Sequence, residues 1–331
     1  MIKVAILSFW HVHAGEYAEE VNKHSGTQLV AVWDELPERG KKEAEERGLI
    51  WYESLNELLA NPDIDAVVVN APTNIHRDVM VAAANAGKHI FTEKVIAPTL
   101  HEVNEILAAV ELNKVKLTVS LPRLNHRSTL AIQELLKKDA LGQLTQARVR
   151  LSHNGTTAGW LPEHFYNLEQ CGGGALIDLG CHPMYLTRLF LGVPESVNAN
   201  YGYVLGKEVE DNAVAILRYA NGAMGIVEAG FVNDHSPFSI ELHGTKGSIF
   251  YGTPEAKVLY RSSLTPEAAS AWTEIELPAE ASPAFEQWVG HIVNGTIAKE
   301  NIELALDLTK LMEAANLSVK LNRPVTLNEL I

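Results

Sequence analysis

Several features that mark whole classes of protein are missing from the sequence. It has only two cysteines in 331 residues, too few for a disulfide framework, and their spacing fits no zinc-binding pattern. No apolar run reaches the roughly 18 residues that a membrane-spanning helix needs. The apolar start is also too short for a signal peptide. We therefore expect a cytoplasmic protein with no membrane partner.

Positive charge is also scarce. Lysine and arginine total 27 against 41 acidic residues, which gives a net charge of −14. Such a surface repels phosphate backbones and anionic lipid, so a nucleic-acid partner is not expected. The rest of the composition is ordinary, because 47% hydrophobic and 21% charged residues can fill and cover a globular core. The length favours two domains.

Strand and helix patterns alternate through residues 1–121. This alternation predicts a parallel sheet with helices on both faces, as in a Rossmann-type dinucleotide-binding domain. From residue 122 to 331 the pattern changes to a glycine-rich turn at 172–174, an apolar helix and several alternating strands. Asn221-Gly222 between two of these strands predicts a hairpin. We predict an α/β protein with a second α/β domain, 122–331, built on a mostly antiparallel open sheet, against which the last helix packs.

The first strand is not followed by the usual glycine fingerprint. A dinucleotide fold normally carries G-x-G-x-x-G there, but residues 8–13 read SFWHVH, with Ser8, Trp10 and His13 at the glycine positions. Asp34 ends the second strand, where an acidic residue either binds the ribose of NAD or caps a turn. Because Glu35 follows and no arginine comes immediately after it, we expect NAD rather than NADP.

Three other residues have side chains suited to proton transfer. Lys94 directly follows a strand, where it can polarise a substrate hydroxyl or simply pair with Glu93. Asp178 and His182 are spaced i, i+4 on the helix opened by the glycines, so they share a face, as a proton-transfer pair or as a structural hydrogen bond. Aromatic residues nearby can line a pocket or fill the core, namely Trp160, Tyr166 and Tyr185.

Taken in order, the motifs resemble those of the glucose–fructose oxidoreductase and inositol dehydrogenase family, Gfo/Idh/MocA. Residues 65–76 (DAVVVNAPTNIH) are similar to its DAVxIxTPnxxH stretch, and residues 87–94 (GKHIFTEK) to its GkHVxxEKP, with Val95 where proline is usual. Residues 172–182 (GGGALIDLGCH) match GGGxLxDxGxH. Later signatures match at Asn221-Gly222 and residues 242–247, and Arg123 fits the arginine after the sixth strand.

The resemblance implies an NAD(P)-dependent oxidoreductase acting on a hydroxyl or carbonyl of a sugar, polyol or related compound. Lys94, Asp178 and His182 occupy the catalytic positions: His182 as general acid/base, Lys94 as stabiliser of alkoxide charge, Asp178 as orienting group. The implied substrate-binding residues are Lys94, Trp160, Tyr166, Asp178, His182 and Tyr185. Many members have aspartate at the position of Tyr185. The candidate cofactor-binding residues are Ser8, Phe9, Trp10, His11, His13, Asp34, Asn70, Ala71, Pro72, Asn74, His76, Glu93, Lys94 and Arg123.

Assembly and two alternative functions complete the expectations. Residues 213–219 are apolar on both faces of their strand, so we predict a homodimer or homotetramer formed through the second sheet. A non-catalytic ligand-binding or regulatory protein is the alternative function, favoured by Ser8 and Trp10. A metal-dependent lyase or hydrolase would need His11 and His13 to join Asp178, His182 or His164. That spacing is not diagnostic, and we expect no metal.

Overall fold

The computed structural model describes residues 1–253 and 255–330. The strands are β1 (Ile2–Leu7), β2 (Thr27–Trp33), β3 (Ile50–Tyr52), β4 (Ala66–Val69), β5 (His89–Thr92), β6 (Leu117–Val119), β7 (Leu144–Ser152), β8 (Ser196–Gly202), β9 (Asn212–Arg218), β10 (Met224–Gly230), β11 (Ser239–Gly244), β12 (Gly247–Tyr251), β13 (Val258–Ser262), β14 (Thr273–Ile275) and β15 (Val325–Thr326). The α-helices are α1 (Ala14–Lys23), α2 (Pro37–Arg47), α3 (Leu55–Ala60), α4 (His76–Asn85), α5 (Leu100–Asn113), α6 (Arg127–Lys137), α7 (Leu168–Cys171), α8 (Ala175–Asp178), α9 (Cys181–Leu191), α10 (Ala284–Asn294) and α11 (Lys299–Leu321). None of the helices in the described ranges has the length and apolarity needed to span a membrane.

The chain divides into two compact units. Met1–Leu121 and Ser282–Leu306 form the first, and Pro122–Ala281 with the residues from Asp307 onward form the second. The domain boundary predicted after Leu121 coincides with the position where the chain first passes from the first unit to the second. The segment 282–306, which the sequence analysis assigned to the second domain, instead belongs to the first unit, where Phe285 and Trp288 enter the core. Helical periodicity identifies a buried face but not the sheet that covers it.

The first unit is built on a six-stranded sheet in the order β3-β2-β1-β4-β5-β6, and all its pairings are parallel. Its central strand β4 is a run of short apolar residues buried on both faces, as expected for a sheet covered by helices on each side. Helix α5 begins at a complete capping box, in which Thr99 and Glu102 satisfy each other's backbone N–H groups. The predicted Rossmann-type sheet is confirmed.

The second unit contains a nine-stranded sheet in the order β14-β13-β12-β11-β7-β10-β9-β8-β15. Strands β7 and β10 pair in parallel, and the other pairings in the described residues are antiparallel, as predicted. Gly222, with φ +85°, makes the β9–β10 turn. The end of α11 packs on β8, where the backbone N–H of Ala199 donates to Ser318 Oγ at 2.9 Å.

Candidate active site

The carboxyl edge of the parallel sheet collects most of the predicted cofactor-binding residues. Strands β2, β1, β4 and β5 are neighbours, and the segments that follow them carry residues 8–13, Asp34, residues 70–74 and residues 93–94. This edge is where open parallel sheets bind their ligands. The topology therefore brings four segments, far apart in the sequence, to one side of the first unit.

The loop after β1 turns without any glycine. Ser8 adopts φ +76°, the left-handed conformation that glycine usually supplies, and its Oγ accepts a hydrogen bond from the backbone N–H of Trp10 at 3.0 Å. The backbone N–H of Phe9 donates to Asp34 Oδ2 at 2.8 Å. Trp10 is buried, and α1 begins directly after His13. Side-chain hydrogen bonds thus stabilise a turn that glycines make elsewhere.

The carboxylate of Asp34 already accepts hydrogen bonds from groups of its own chain. Its buried carboxylate accepts hydrogen bonds from the backbone N–H groups of Phe9 and Leu36 and from Arg39, whose guanidinium lies 2.7–2.8 Å from both oxygens. Arg39 also pairs with Glu35 at 2.5 Å. Arg39 was not predicted as a site residue, because no arginine follows Glu35 immediately in the sequence. The signal was its i, i+4 spacing from Glu35 in a helix that begins at Pro37.

Polar groups after β4 divide into two kinds. The side-chain amide of Asn70 is completely buried, yet neither its nitrogen nor its oxygen has a hydrogen-bond partner within the described residues. Leaving buried polar groups without hydrogen bonds costs free energy, so the Asn70 amide is a candidate ligand-binding group. His76, predicted to bind the cofactor, is occupied instead: Nε2 lies 2.9 Å from the Ala71 carbonyl and Nδ1 lies 3.0 Å from that of Ile96. These contacts hold His76 against the backbone, and its role in cofactor binding stays a prediction.

Glu93 is the centre of a buried network after β5. One carboxylate oxygen lies 2.9 Å from His13 Nδ1 and accepts a 2.5 Å hydrogen bond from the Tyr17 hydroxyl. The other oxygen accepts the backbone N–H of Lys94 at 3.0 Å. Burial alone would raise the pKa of Glu93, but the neighbouring His11, His13 and Lys94 outweigh it and hold that pKa well below the ordinary value. The backbone at Lys94 is therefore tied to a carboxylate.

The second unit presents the glycine-rich turn and the residues after it. Glu210 is buried and accepts hydrogen bonds from the backbone N–H groups of Gly174 and Leu176 at 2.8 and 2.9 Å. The expected single helix is wrong: α8 ends at Asp178 and α9 begins at Cys181. An irregular turn separates them because Gly180 donates its N–H five residues back to Ala175. Asp178 and His182 thus lie on successive helices.

Tyr185 holds His182 from the same helix. Its hydroxyl lies 3.1 Å from His182 Nδ1 and accepts the backbone N–H of Arg123 at 3.0 Å. The side chain of Tyr185 is completely buried, which suits support of the imidazole better than the predicted contact with substrate. The guanidinium of Arg123 lies 3.9 Å above the ring of Phe238, and burial lowers its pKa.

The other two predicted aromatic residues differ in exposure. Trp160 is 56% exposed, whereas Tyr166 is buried and its hydroxyl donates to Thr156 Oγ1 at 3.0 Å. The ammonium of Lys207 lies 4.4 Å from the Tyr166 ring. Trp160 therefore exposes more than half of its surface in the second unit, while Tyr166 is buried and hydrogen-bonded.

Comparison with known proteins identifies both halves of the chain. Residues 8–121 match the model of an oxidoreductase family with an NAD-binding Rossmann fold, and residues 129–250 match that of the GFO/IDH/MocA C-terminal domain. A 1,5-anhydro-D-fructose reductase of Ensifer adhaerens is 30% identical over 244 residues, 71% of this chain and 72% of the relative. An NAD(+)-dependent scyllo-inositol 2-dehydrogenase of Bacillus subtilis is 29% identical over 76% of this chain and 74% of the relative.

The solved structures agree with the fold. An aldose-aldose oxidoreductase of Caulobacter crescentus superposes with a TM-score of 0.82 at 22% identity, covering 98% of this chain and 99% of that one. A levoglucosan dehydrogenase in complex with NADH gives a TM-score of 0.81 at 20% identity, with 98% and 99% covered. The matches to the two family models and to the Ensifer reductase show the family as well as the fold. The chain belongs to the GFO/IDH/MocA family of NAD(P)-dependent oxidoreductases.

Proposed function

We propose that the protein oxidises a hydroxyl, or reduces the corresponding carbonyl, of a sugar, polyol or related compound with NAD as the preferred cofactor. The observation that carries the proposal is the buried Asn70 amide at the carboxyl edge of a Rossmann sheet, which has no hydrogen-bond partner among the residues that the structure describes. A dinucleotide at that edge offers ribose hydroxyl and amide groups that satisfy such a side chain. Bound NAD supplies the acceptor for the hydride.

Cofactor binding would use the segments already gathered at this edge. The N–H groups of the first turn of α1 suit a pyrophosphate, and residues 8–13 shape the approach to them. Asp34 and Glu35 carry two negative charges against the single positive charge of Arg39. This excess of negative charge disfavours a 2′-phosphate, so NAD is expected to bind more tightly than NADP. Asn70, Ala71, Pro72 and Asn74 complete the proposed cofactor contacts.

The proposed catalytic set is Lys94, Asp178 and His182, as the family resemblance implies. His182 would exchange the proton of the reacting hydroxyl, while Tyr185 holds its ring from behind. Lys94 would hydrogen-bond the same oxygen and stabilise developing alkoxide charge. Asp178 would orient the substrate, and Trp160 would offer an aromatic face to it. In this scheme Tyr185 and Tyr166 act through neighbouring groups.

A non-catalytic ligand-binding role is the second candidate. The observation in its favour is the engagement of Asp34, whose carboxylate accepts four hydrogen bonds from its own chain. A ribose can bind there only by displacing Arg39. Trp10, which replaces the second glycine of the fingerprint, also favours this second candidate.

Two measurements separate these functions. Calorimetric titration with NAD and NADP should show NAD binding, weakened at least several-fold in Asp34→Ala. In Arg39→Ala the NADP affinity should fall further below that for NAD, because the positive charge is removed. A panel of sugars and polyols should then give NADH, with turnover lowered roughly a hundredfold in His182→Ala or Lys94→Ala. Absence of NAD binding at millimolar concentration favours the second candidate, and near-normal turnover in both variants overturns the catalytic set.

We also propose that the protein is a cytoplasmic homodimer or homotetramer assembled through the second sheet. Ile216 and Met224 are 41% and 47% exposed, and Val214 and Ile226 beside them are half-buried. A contiguous apolar face of this kind is typical of an interface. Light scattering should find an oligomer, and Ile216→Glu should shift it towards monomer. A monomeric wild-type protein contradicts the proposal.

A further inference from the structure

Two histidines and a glutamate converge in the first unit in a way that dinucleotide binding does not require. His11 and His13 come from the loop after β1, and Glu93 follows β5. One potential ligand atom of each lies within 4.8 Å of the others. His13 Nδ1 is 2.9 Å and His11 Nδ1 is 3.7 Å from the same oxygen of Glu93. We propose that His11, His13 and Glu93 bind a divalent transition-metal ion.

The donor set selects the class of metal. Two imidazoles and one carboxylate form the protein ligand set of many catalytic zinc sites, and the same combination serves iron(II). Imidazole nitrogens favour Zn²⁺, Fe²⁺ and neighbouring ions over Mg²⁺ or Ca²⁺, which prefer oxygen ligands. Three protein ligands leave at least one position of a tetrahedral ion open, as in catalytic zinc sites.

The observed spacing is close to that of a formed site. Ligands about 2.1 Å from a tetrahedral ion are about 3.4 Å apart. The two measured nitrogen–oxygen distances, 2.9 and 3.7 Å, lie on either side of that value. His11 Nδ1 accepts a 3.3 Å hydrogen bond from the backbone N–H of His13, and a metal ion bound at this nitrogen would replace that hydrogen bond. The three candidate ligand atoms lie within 4.8 Å of one another, so they must move closer together to reach the spacing around a bound ion.

Groups around the three ligands hold them in place. Tyr17 donates its hydroxyl hydrogen bond to Glu93, and its oxygen lies 2.7 Å from Ser120 Oγ. The backbone N–H of His11 donates to the Asn70 carbonyl at 3.1 Å. Outer partners of this kind orient metal ligands and raise affinity.

The net charge at the site indicates which further ligand the ion would bind. Neutral imidazoles and one carboxylate leave a divalent ion with one net positive charge, and α1 begins at the next residue with its positive end. An oxygen donor with negative character, such as a hydroxide or an ionising hydroxyl, fits the open position. The proposal goes beyond the dehydrogenase function, since metal binding here needs neither NAD nor turnover.

The test is a titration of the untagged full-length protein with Zn²⁺ by calorimetry, and with Co²⁺ by its visible absorption, without nucleotide. We expect one ion per chain. His13→Ala should weaken binding at least a hundredfold, and the variant should still fold, because the His13 side chain is 40% exposed. His11→Ala and Glu93→Gln should act alike, and Tyr17→Phe should cost roughly tenfold. The matched control is His101→Ala, a surface histidine 3.7 Å from Glu105.

Several outcomes overturn the metal site. One is a wild-type protein that takes up neither ion, which would leave the cluster as a hydrogen-bond network only. Another is unchanged binding in both His13→Ala and Glu93→Gln, or an equal loss in His101→Ala. Because the readout is the ion itself, failure of the metal site and failure of the dehydrogenase function are distinguishable: either can be absent while the other is measured.

Discussion

Gly174→Ala tests how the glycine-rich turn positions the residues that follow it. A Cβ at Gly174 would overlap the carbonyl oxygen of Glu210 and lie 2.9 Å from the Cβ of Val209. Backbone cannot yield as a flexible side chain does, so residues 209–210 must move away. That movement breaks the 2.9 Å hydrogen bond from Ala175 N–H to the Glu210 carbonyl and the 2.8 Å bond from Gly174 N–H to its carboxylate.

The cost follows from these contacts. The two hydrogen bonds contribute about 1 kcal/mol each, and the buried Glu210 carboxylate is left with one hydrogen-bond donor fewer. We therefore expect about 2–4 kcal/mol of destabilisation. Gly173→Ala is the matched control. Its Cβ would meet the Ile177 side chain at 3.2 Å and Glu210 Oε2 at 4.0 Å, both side-chain contacts at ordinary or slightly short distances, and it should cost less than about 1 kcal/mol.

Two assays measure the effect. Urea unfolding followed by tryptophan fluorescence gives the free energy of unfolding at a common m-value. Hydrogen exchange of residues 172–182 reports the local opening directly and should accelerate in Gly174→Ala alone. Equal destabilisation of the two variants, or unchanged exchange in Gly174→Ala, would refute the close approach to Glu210 as the reason for glycine.

Three further outcomes are expected. Burial raises the pKa of the Cys171 thiol to about 12, so a disulfide reagent at pH 8 should not modify this residue until the protein unfolds; rapid native labelling contradicts this. Tyr185→Phe should lower kcat roughly tenfold with little change in KM, because the hydroxyl lies against His182 Nδ1, whereas a change in KM alone would make Tyr185 a substrate contact. Burial alone would raise the pKa of Glu228, but the Arg148 hydrogen bond and charge help to lower it. Its ionised form therefore stabilises the fold at pH values above the pKa of Glu228 in the unfolded chain. In urea titrations, this stabilisation should disappear as the pH falls through the pKa of Glu228 in the folded state. Glu228→Gln should lack this pH-dependent loss of stability.

The fold was largely predictable because local patterns carry it. A run such as residues 66–69, apolar on both faces and followed by a helix, has few alternatives to a buried parallel strand. The hairpin at Asn221-Gly222 is equally local. Residues 282–306 show the limit, because their apolar face says nothing about which unit it covers. The break between α8 and α9 was not predicted either, since it depends on the hydrogen bond from Gly180 N–H five residues back to Ala175.

The place of several candidate residues at the sheet edge could be predicted from the sequence, but their hydrogen-bond partners could not. Strand ends identified Asp34, Asn70 and Glu93, because parallel strands bring their carboxyl ends together. The sequence did not reveal that Arg39 occupies Asp34 or that Tyr185 supports His182. Such pairings depend on side-chain conformations in three dimensions, and one or two hydrogen bonds decide them.

The return of residues 282–306 to the first unit has a consequence for synthesis on the ribosome. Trp288 is completely buried in that unit's core, beside Phe285 and Phe91. The first 121 residues emerge long before this tryptophan is made, so the nascent sheet must wait with an incomplete hydrophobic layer. The second unit's strands are translated in the meantime. The core of the N-terminal half can therefore be completed only after most of the chain has been synthesised.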